Sequence, residues 1–205
     1  IYIFLLLFLY YLKTRRFRNL VVCFSCLLCL GIYHTVMRWY DRPCPSLVFY
    51  NVRGCPAIHC IAEDGTSWLN YADTLSDKRR LQAVAANYWR RHQLLPPIEV
   101  TADCQNVDFC RHQQIVFYHG CRICMVTDNR WRNKSAASPL FINYMYLCKG
   151  YNGRLEELTG LFSPSCILLD ASLSDDRKQF FREECKRLHL HFITLSEEGS
   201  VRFLL

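Results

Sequence analysis

Acidic residues are missing from the first 40 residues of the chain. Before Arg38, the side chains charged at neutral pH all belong to one connector, KTRRFR, and all are positive: Lys13, Arg15, Arg16 and Arg18. Two uncharged, apolar runs flank it, residues 1–12 and 20–37. The second run is about long enough to cross a bilayer, and the first would be if it continued upstream of Ile1. The pattern predicts two transmembrane helices, the end of a multi-span membrane domain, over residues 1–37.

This order of charges excludes a secretory signal peptide, which places its basic residues before a single apolar segment. Two helices buried in a soluble protein are the alternative, although runs that are apolar on all sides favour membrane spans here. Basic loops stay in the cytoplasm, so residues 38–205 are expected on the outer, periplasmic face. Because the chain starts with Ile1 and not Met, we expect it to be the C-terminal part of a longer protein.

Residues 38–205 lack internal repeats, low-complexity linkers and a glycine-rich loop of the kind that cradles phosphate groups. Their length suits one ordinary domain. Four of the chain's 25 Lys and Arg lie in the connector, which leaves 21 against 18 Asp and Glu, a net charge of +3. A charge this small does not by itself indicate a nucleic-acid-binding protein.

The secondary structure predicted for this domain mixes strands with helices. Strands are expected at residues 47–52, 57–62, 67–71, 115–118, 121–126, 143–148, 166–170, 191–195 and 200–204. Helices are expected at residues 76–92, at residues 153–161 and after Ser174. Turn signals at Asp64-Gly65, His119-Gly120 and Glu198-Gly199 predict three hairpins. This order predicts the α/β class with a mixed sheet.

Caps and apolar spacing support the two longer helices. Ser76 and Ser174 are each expected to accept a hydrogen bond from the first turn of a helix. The predicted apolar face of the first helix comprises Leu81, Val84, Ala85, Tyr88 and Trp89, and that of the last comprises Phe181, Cys185 and Leu188. Pro96 and Pro97 prevent the first helix from continuing.

Three stretches carry a resemblance to a known family. VFYNVRGCPAIHCIAEDGTSWLNYAD (residues 48–73) resembles the opening strand, turn and hairpin of the soluble domain of ComEC-type competence proteins, which ends in an aspartate. IVFYHGCRICMVTDNR (residues 115–130) resembles that domain's later hairpin, and residues 163–205 resemble its closing strand, helix and hairpin. ComEC-type proteins are bacterial channels that carry single-stranded DNA across the inner membrane. They join a multi-span domain to a metallo-β-lactamase-like domain.

The resemblance implies a fold, a location and partners. Residues 38–205 would form a reduced metallo-β-lactamase-like domain with mixed sheets, attached to a multi-pass protein of the bacterial inner membrane. The implied partners are single-stranded DNA, the lipid bilayer and the remainder of the channel upstream of Ile1.

Active members of the metallo-β-lactamase fold hold two metal ions, and their first ligands form a His-x-His/Asp-x-Asp-His run after the opening hairpin. Between Asp73 and Arg111, this chain offers only His92 on a predicted helix, followed by Asp103 and Asp108 in a loop. These residues do not form the cluster that two metal ions need.

The later part of the expected metal site departs from the family pattern as well. Cys148-Lys149-Gly150-Tyr151 stands where the family places a His-His-Gly-Ser turn, and a lysine there would repel a metal ion. Asp128 matches the family's later aspartate and would be a vestige of the site. The resemblance, with these departures, predicts a domain without metal, cofactor or catalytic residues.

Other arrangements of cysteine and histidine are weaker. Cys121 and Cys124 form a C-x-x-C, but residues three apart on a predicted strand face opposite sides, so buried structural cysteines are favoured. His189 and His191 lack a third ligand and are better explained as partly buried strand residues. Ten of the 13 cysteines lie in residues 38–205, with irregular spacing, although an oxidising outer compartment would favour disulfides.

The stretch DNRWRNK combines aromatic and basic side chains: Arg130, Trp131, Arg132 and Lys134. Single-stranded DNA binds such surfaces through base stacking and phosphate contacts, and a solvated loop with a half-buried tryptophan is the alternative. We expect a structural or strand-guiding domain of a DNA-uptake channel. The alternatives are a membrane-tethered metal-dependent hydrolase or nuclease with displaced ligands, and a membrane-anchored binding module unrelated to DNA.

Overall fold

The computed structural model describes residues 17–40, 44–71, 78–92 and 94–205. The chain divides into two compact units, Ile1–Arg42 and Pro43–Leu205. The connector cations Lys13, Arg15 and Arg16 lie outside the described residues, as do Asp73 and the predicted helix cap Ser76.

The first unit contains helix α1, Phe17–Tyr40, with Arg18 exposed in its first turn. Its apolar side chains are largely exposed, as Phe24, Leu28 and Tyr33 illustrate. The Thr35 hydroxyl donates a 2.8 Å hydrogen bond to the carbonyl oxygen of Gly31, one turn earlier. Across the described part of the chain, no helix is both long enough and apolar enough to span a membrane.

The described residues of the second unit form two β-sheets. The first has the strand order β12-β1-β2-β3-β4 and comprises β1 (Ser46–Phe49), β2 (Ala57–Ile61), β3 (Ser67–Tyr71), β4 (Ile98–Val100) and β12 (Val201–Leu204). Within it, β3 and β4 are parallel and the other neighbours are antiparallel.

The second sheet has the order β11-β10-β9-β8-β7-β6-β5. It comprises β5 (Cys104–Gln105), β6 (Phe109–His112), β7 (Ile115–Tyr118), β8 (Cys121–Val126), β9 (Leu140–Leu147), β10 (Phe162–Leu169) and β11 (Phe192–Thr194). Strands β8 to β11 run parallel, and β5 to β8 pair in antiparallel fashion. The predicted α/β class with mixed sheets is therefore confirmed.

Among its described residues, the second unit also forms four helices: α2 (Lys78–Arg91), α3 (Leu155–Thr159), α4 (Asp175–Arg187) and α5 (Leu195–Glu198). The predicted cap of α4 is confirmed, since the Ser174 hydroxyl accepts a hydrogen bond from the Arg177 N–H. Phe181 and Cys185 bury the apolar face of this helix, as predicted. On α2, Leu81 and Ala85 are buried, but Val84 is 55% exposed, so its assignment to the apolar face is wrong.

The core is built in layers. Apolar side chains of both sheets meet in one cluster, with Phe49 and Ile58 from the first sheet and Tyr118 and Tyr146 from the second. The other side of the first sheet packs with Leu81 and Ala85 of α2. The other side of the second sheet packs with α3 and α4. Helix, sheet, sheet and helix therefore form four layers, and burying both sides of each sheet requires the continuous apolar strands seen in the sequence.

Two predicted hairpins are confirmed. Strands β7 and β8 have the predicted bounds and pair around His119 and Gly120, whose φ angles are 45° and 77°. Two consecutive residues with positive φ are typical of a type I′ turn, whose twist matches the flanking strands. Strands β2 and β3 likewise pair across the turn that contains Gly65, whose φ is 84°.

The third predicted hairpin is wrong. The closing hairpin does not exist, because β11 joins the second sheet beside β10 while β12 joins the first sheet beside β1. The one-turn helix α5 separates these strands, and Gly199 ends that helix. Asp103 and Asp108 lie outside the strands, as expected, but the short antiparallel strands β5 and β6 beside them were not predicted.

Candidate functional site

A cleft opens at the carboxyl ends of three neighbouring parallel strands, β8, β9 and β10. Ligands of sheets with parallel strands commonly bind in this position, because the loops that leave the strands converge there. The cleft has a volume of about 520 Å³ and is lined by Gly54, Pro56, Thr127, Asp128, Cys148, Lys149, Gly150 and Ser172. Gly54 and Pro56 come from the β1–β2 turn of the other sheet, so both sheets contribute a wall.

Gly150 fixes how closely two of these loops approach each other. Its φ is +115°, a backbone conformation that side chains disfavour, and a Cβ at this position would overlap the carbonyl oxygen of Thr127. The loop after β9 therefore rests directly on the loop after β8. This contact brings Lys149 and Asp128 to the same cleft.

Asp170 holds the third loop in place. Its side chain is buried behind the cleft, where one carboxylate oxygen accepts a hydrogen bond from the Tyr146 hydroxyl. The other oxygen accepts a 2.7 Å hydrogen bond from the Ser172 N–H. Burial raises the pKa of Asp170 above its ordinary value, although these hydrogen bonds act in the opposite direction. Asp170 therefore positions Ser172 at the rim.

Asp128, the predicted vestige of a metal site, is engaged by its neighbour Arg130. The Arg130 Nε lies 3.0 Å from both carboxylate oxygens, and the Arg130 Nη2 lies 2.8 Å from the Asp128 Oδ2. Partial burial alone would raise the pKa of Asp128, but the hydrogen bonds and the charge of Arg130 outweigh it and lower the pKa. The carboxylate is consequently ionised and already neutralised by an internal cation.

Lys149 has a different environment from Arg130. Its side chain is exposed at the cleft, and no described carboxylate lies within ion-pairing distance of its ammonium group. Its backbone N–H donates a 3.1 Å hydrogen bond to the Ser172 hydroxyl. On the other wall, the Thr127 hydroxyl accepts a 2.7 Å hydrogen bond from Gln114. Each hydroxyl thus receives one hydrogen bond and keeps its own hydrogen available.

The basic loop, residues 128–134, has an internal partner for each of its four candidate DNA-contacting side chains. Arg130 pairs with Asp128, and Arg132 lies 3.5 Å from Glu157. The half-buried Trp131 ring stands perpendicular to Phe162 at 5.0 Å, and its Nε1–H donates to Gln114. Lys134 lies over the same ring at 5.3 Å. Their role as DNA contacts stays a prediction, and these contacts reduce the ring surface open to a base.

The residues at the cleft do not fit the metal pair that a metallo-β-lactamase-like fold implies. Asp128 directs both oxygens at Arg130, and Lys149 adds a positive charge. Burial raises the pKa of the Cys148 thiol well above its ordinary value, so it does not offer a thiolate. Among the residues that the structure describes, no three His, Cys, Asp or Glu side chains group as metal ligands.

The weaker candidates fall outside the cleft. Cys121 and Cys124 face opposite sides of β8, as predicted, because Cys121 packs on the inter-sheet core and Cys124 on the core with α3 and α4. His189 precedes β11 and is not a strand residue, contrary to the prediction, with a φ of 54° after α4. His191 also precedes β11, and its Nδ1 lies 3.2 Å from the buried Cys166 Sγ.

Sequence reasoning missed Thr127, Ser172 and Gly54 as cleft residues. Each follows a strand end closely, and Thr127 is adjacent to the predicted Asp128. A search for short polar side chains within three residues of the apolar strand ends would have found the first two. Gly54 comes from the other sheet, and the sequence contains no local signal for that pairing.

Comparison with known proteins places the chain in a family. No curated protein and no solved structure matches it significantly. The family model described as the ComEC C-terminal domain matches residues 47–205, which include both sheets except Ser46 and all the loops of the cleft. The chain therefore belongs to the ComEC C-terminal domain family.

Proposed function

We propose that residues 38–205 are a degenerate metallo-β-lactamase-like domain that guides single-stranded DNA during competence-related uptake and does not cut it. Family membership supports a role in DNA uptake. The four-layer arrangement around two sheets is compatible with a reduced domain of this fold. The strand-guiding surface would be the cleft, with the basic loop at its rim.

One observation carries the non-catalytic part of this proposal. A two-metal site activates water by gathering carboxylate and imidazole ligands around an open coordination position. At the cleft, the carboxylate of Asp128 is occupied by Arg130, and the neighbouring strand end presents the ammonium group of Lys149. Positive charge supplied by side chains attracts phosphate but does not lower the pKa of a bound water as a metal ion does.

The test of this part is a nuclease assay with the 205-residue chain. Labelled single-stranded DNA incubated with the protein and Mn²⁺ or Zn²⁺ should remain intact, while a metal-dependent nuclease in the same buffer degrades it. Metal analysis after gel filtration should find less than one tightly bound ion per chain. Cleavage that Asp128→Ala abolishes, or two tightly bound ions per chain, would show a metal-dependent enzyme with displaced ligands.

We further propose that residues 1–37 are the end of a multi-span domain in the bacterial inner membrane, with residues 38–205 on the periplasmic face. Membership of the ComEC C-terminal domain family and the basic connector before residue 20 support this topology. An engineered cysteine at the exposed Asn133 should react with a membrane-impermeant maleimide in intact spheroplasts. The parent chain is the control for its own exposed thiols, and labelling that appears only after detergent would reverse the orientation.

A further inference from the structure

The hydrogen-bonding groups left available at the cleft are mostly donors. Both oxygens of Asp128 already accept hydrogen bonds from Arg130. The ammonium group of Lys149 and the hydroxyl hydrogens of Thr127 and Ser172 donate to no other described group. These donors come from three different loops, after β8, β9 and β10. Their convergence favours an acceptor-rich ligand that can receive hydrogen bonds from several directions.

A phosphodiester has these properties, because its two free oxygens carry one negative charge and its ester oxygens add further acceptors. We propose that the cleft binds one backbone phosphate of single-stranded DNA, without a metal ion, through the Lys149 ammonium and the hydroxyls of Thr127 and Ser172. This inference rests on the proposed function and assigns its contact to specific residues. The volume of about 520 Å³ leaves room for part of the nucleotide beside the phosphate.

In this proposal, the Lys149 ammonium group attracts the phosphate, a role that a metal ion has in a two-metal site. Lysine binds phosphate as a point charge with rotatable donors, so it tolerates a moving strand better than a rigid bidentate contact does. Arg130 and Asp128 offset each other's charge beside the site. Lys149 is therefore the unpaired charge that the cleft offers among its described lining residues.

The experiment measures binding of fluorescently labelled oligo-dT by anisotropy, with the full 205-residue chain and EDTA present throughout. Lys149→Gln should weaken binding roughly 10- to 100-fold at low salt, the range expected for one hydrogen bond to a charged group. It should also reduce the salt slope of log affinity by about 0.7, the value of one lost phosphate contact on a single strand. Lys149→Arg should restore most of the affinity.

The matched control is Lys186→Gln, which removes an exposed lysine from the last turn of α4 and should leave affinity within about twofold. Ser172→Ala should weaken binding roughly three- to tenfold, less than Lys149→Gln, because the hydroxyl contributes one hydrogen bond to the anion but no charge. Urea denaturation establishes that each variant is folded as well as the parent chain. Because Lys149 is exposed, its substitution should not change the unfolding midpoint.

Several results would overturn this inference. If the parent chain binds in EDTA and Lys149→Gln binds equally well, the phosphate contact is wrong while the strand-guiding function stands. If the chain binds only when EDTA is replaced by Mn²⁺ or Zn²⁺, the metal-free phosphate contact is wrong. If the chain binds no oligonucleotide, the strand-guiding function itself is wrong. Binding to phosphatidylglycerol vesicles without any binding to oligonucleotide would identify a lipid headgroup as the phosphate source and overturn the assignment to DNA.

Discussion

The basic loop and the cleft present positive charge in opposite ways. In the basic loop, Arg130 and Arg132 face carboxylates and Lys134 covers an aromatic ring. In the cleft, Lys149 has no carboxylate partner among the described residues. The basic loop has more cationic side chains than the cleft. The cleft nevertheless has the cation that is more available to an anionic ligand.

The difference teaches that charge density along a sequence does not measure charge available to a ligand. Neighbouring basic and acidic residues in one loop neutralise each other, as Asp128 and Arg130 do. A single lysine becomes available when strand ends converge and the nearby carboxylates have other partners. The following substitutions test whether the loop is mainly structural and the cleft mainly functional.

The largest expected effect follows from changing the glycine that brings the cleft loops together. Gly150→Ala should lower the free energy of unfolding by about 2–5 kcal/mol, because it adds both backbone strain at positive φ and overlap with the Thr127 carbonyl. Urea denaturation measures the loss. Gly120→Ala is the matched control, since its φ is +77° with open space around the Cβ, and it should cost about 1 kcal/mol. Equal losses would contradict the close contact between the loops.

A smaller loss is expected in the basic loop. Trp131→Ala should reduce the free energy of unfolding by about 2 kcal/mol, less than for a fully buried tryptophan, through lost packing on Phe162 and a lost hydrogen bond to Gln114. Trp131→Phe should lower the free energy of unfolding by about half as much as Trp131→Ala does. Oligo-dT affinity of the folded variants should stay within about twofold of the parent chain. A tenfold loss of affinity would show that the ring stacks on bases and that the loop is a DNA contact.

The two carboxylates near the cleft should titrate on opposite sides of the ordinary aspartate value. Burial raises the pKa of Asp170, whereas Arg130 lowers the pKa of Asp128. The folded state therefore binds the Asp170 proton more tightly than the unfolded state does. As pH rises from the ordinary aspartate pKa through the raised pKa of the folded state, this group lowers the free energy of unfolding. Asp128 contributes in the opposite sense, and its stabilisation is lost as pH falls through its lowered pKa.

Carboxyl-carbon NMR titration measures both groups, with Asp128→Asn and Asp170→Asn for assignment. Arg130→Gln should raise the pKa of Asp128, since it removes the Arg130 side-chain hydrogen bonds and charge, although the backbone N–H of residue 130 still donates to the carboxylate. Tyr146→Phe should raise the pKa of Asp170 further, because the Tyr146 hydrogen bond lowers it. A pKa of Asp170 below that of Asp128 would contradict the assigned roles.

The smallest effect is expected at the rim of the basic loop. Arg132→Gln removes a 3.5 Å ion pair with Glu157 in which the Arg132 side chain is 48% exposed. Exposed pairs of this kind contribute about 0.5 kcal/mol or less, so unfolding should be nearly unchanged. Oligo-dT affinity should also change less than it does in Lys149→Gln. If Arg132→Gln lost more affinity than Lys149→Gln, the basic loop and not the cleft would be the main DNA contact.

Local patterns predicted the elements whose partners are adjacent in the chain. Strands β7 and β8 could be bounded because His119-Gly120 provides a turn signal and apolar residues surround it. Helix α4 could be placed because Ser174 caps it and acidic residues occupy its first turn. These signals lie within a few residues of the elements that they specify.

Long-range pairing could not be predicted in the same way. Glu198-Gly199 has the composition of a hairpin turn, yet the flanking strands find partners in two different sheets. Strand β4 was missed because Ile98 and Glu99 are exposed and the strand has only three residues. At the cleft, Asp128 and Lys149 could be anticipated as strand-end residues. The pairing of Asp128 with Arg130 and the burial of Asp170 depend on side-chain packing that no short motif records.

The pairing of β1 with β12 also determines when this domain can fold. Phe49 on β1 is fully buried and contacts the Phe203 ring, and the Leu205 N–H donates to the Pro45 carbonyl oxygen at 3.0 Å. While a ribosome is still synthesising the residues between them, β1 has an unpaired edge that invites association with other chains. Such distant pairing slows folding, because a long loop must close before the contact forms. A nascent chain of this protein should therefore keep this edge of β1 open until β12 has emerged.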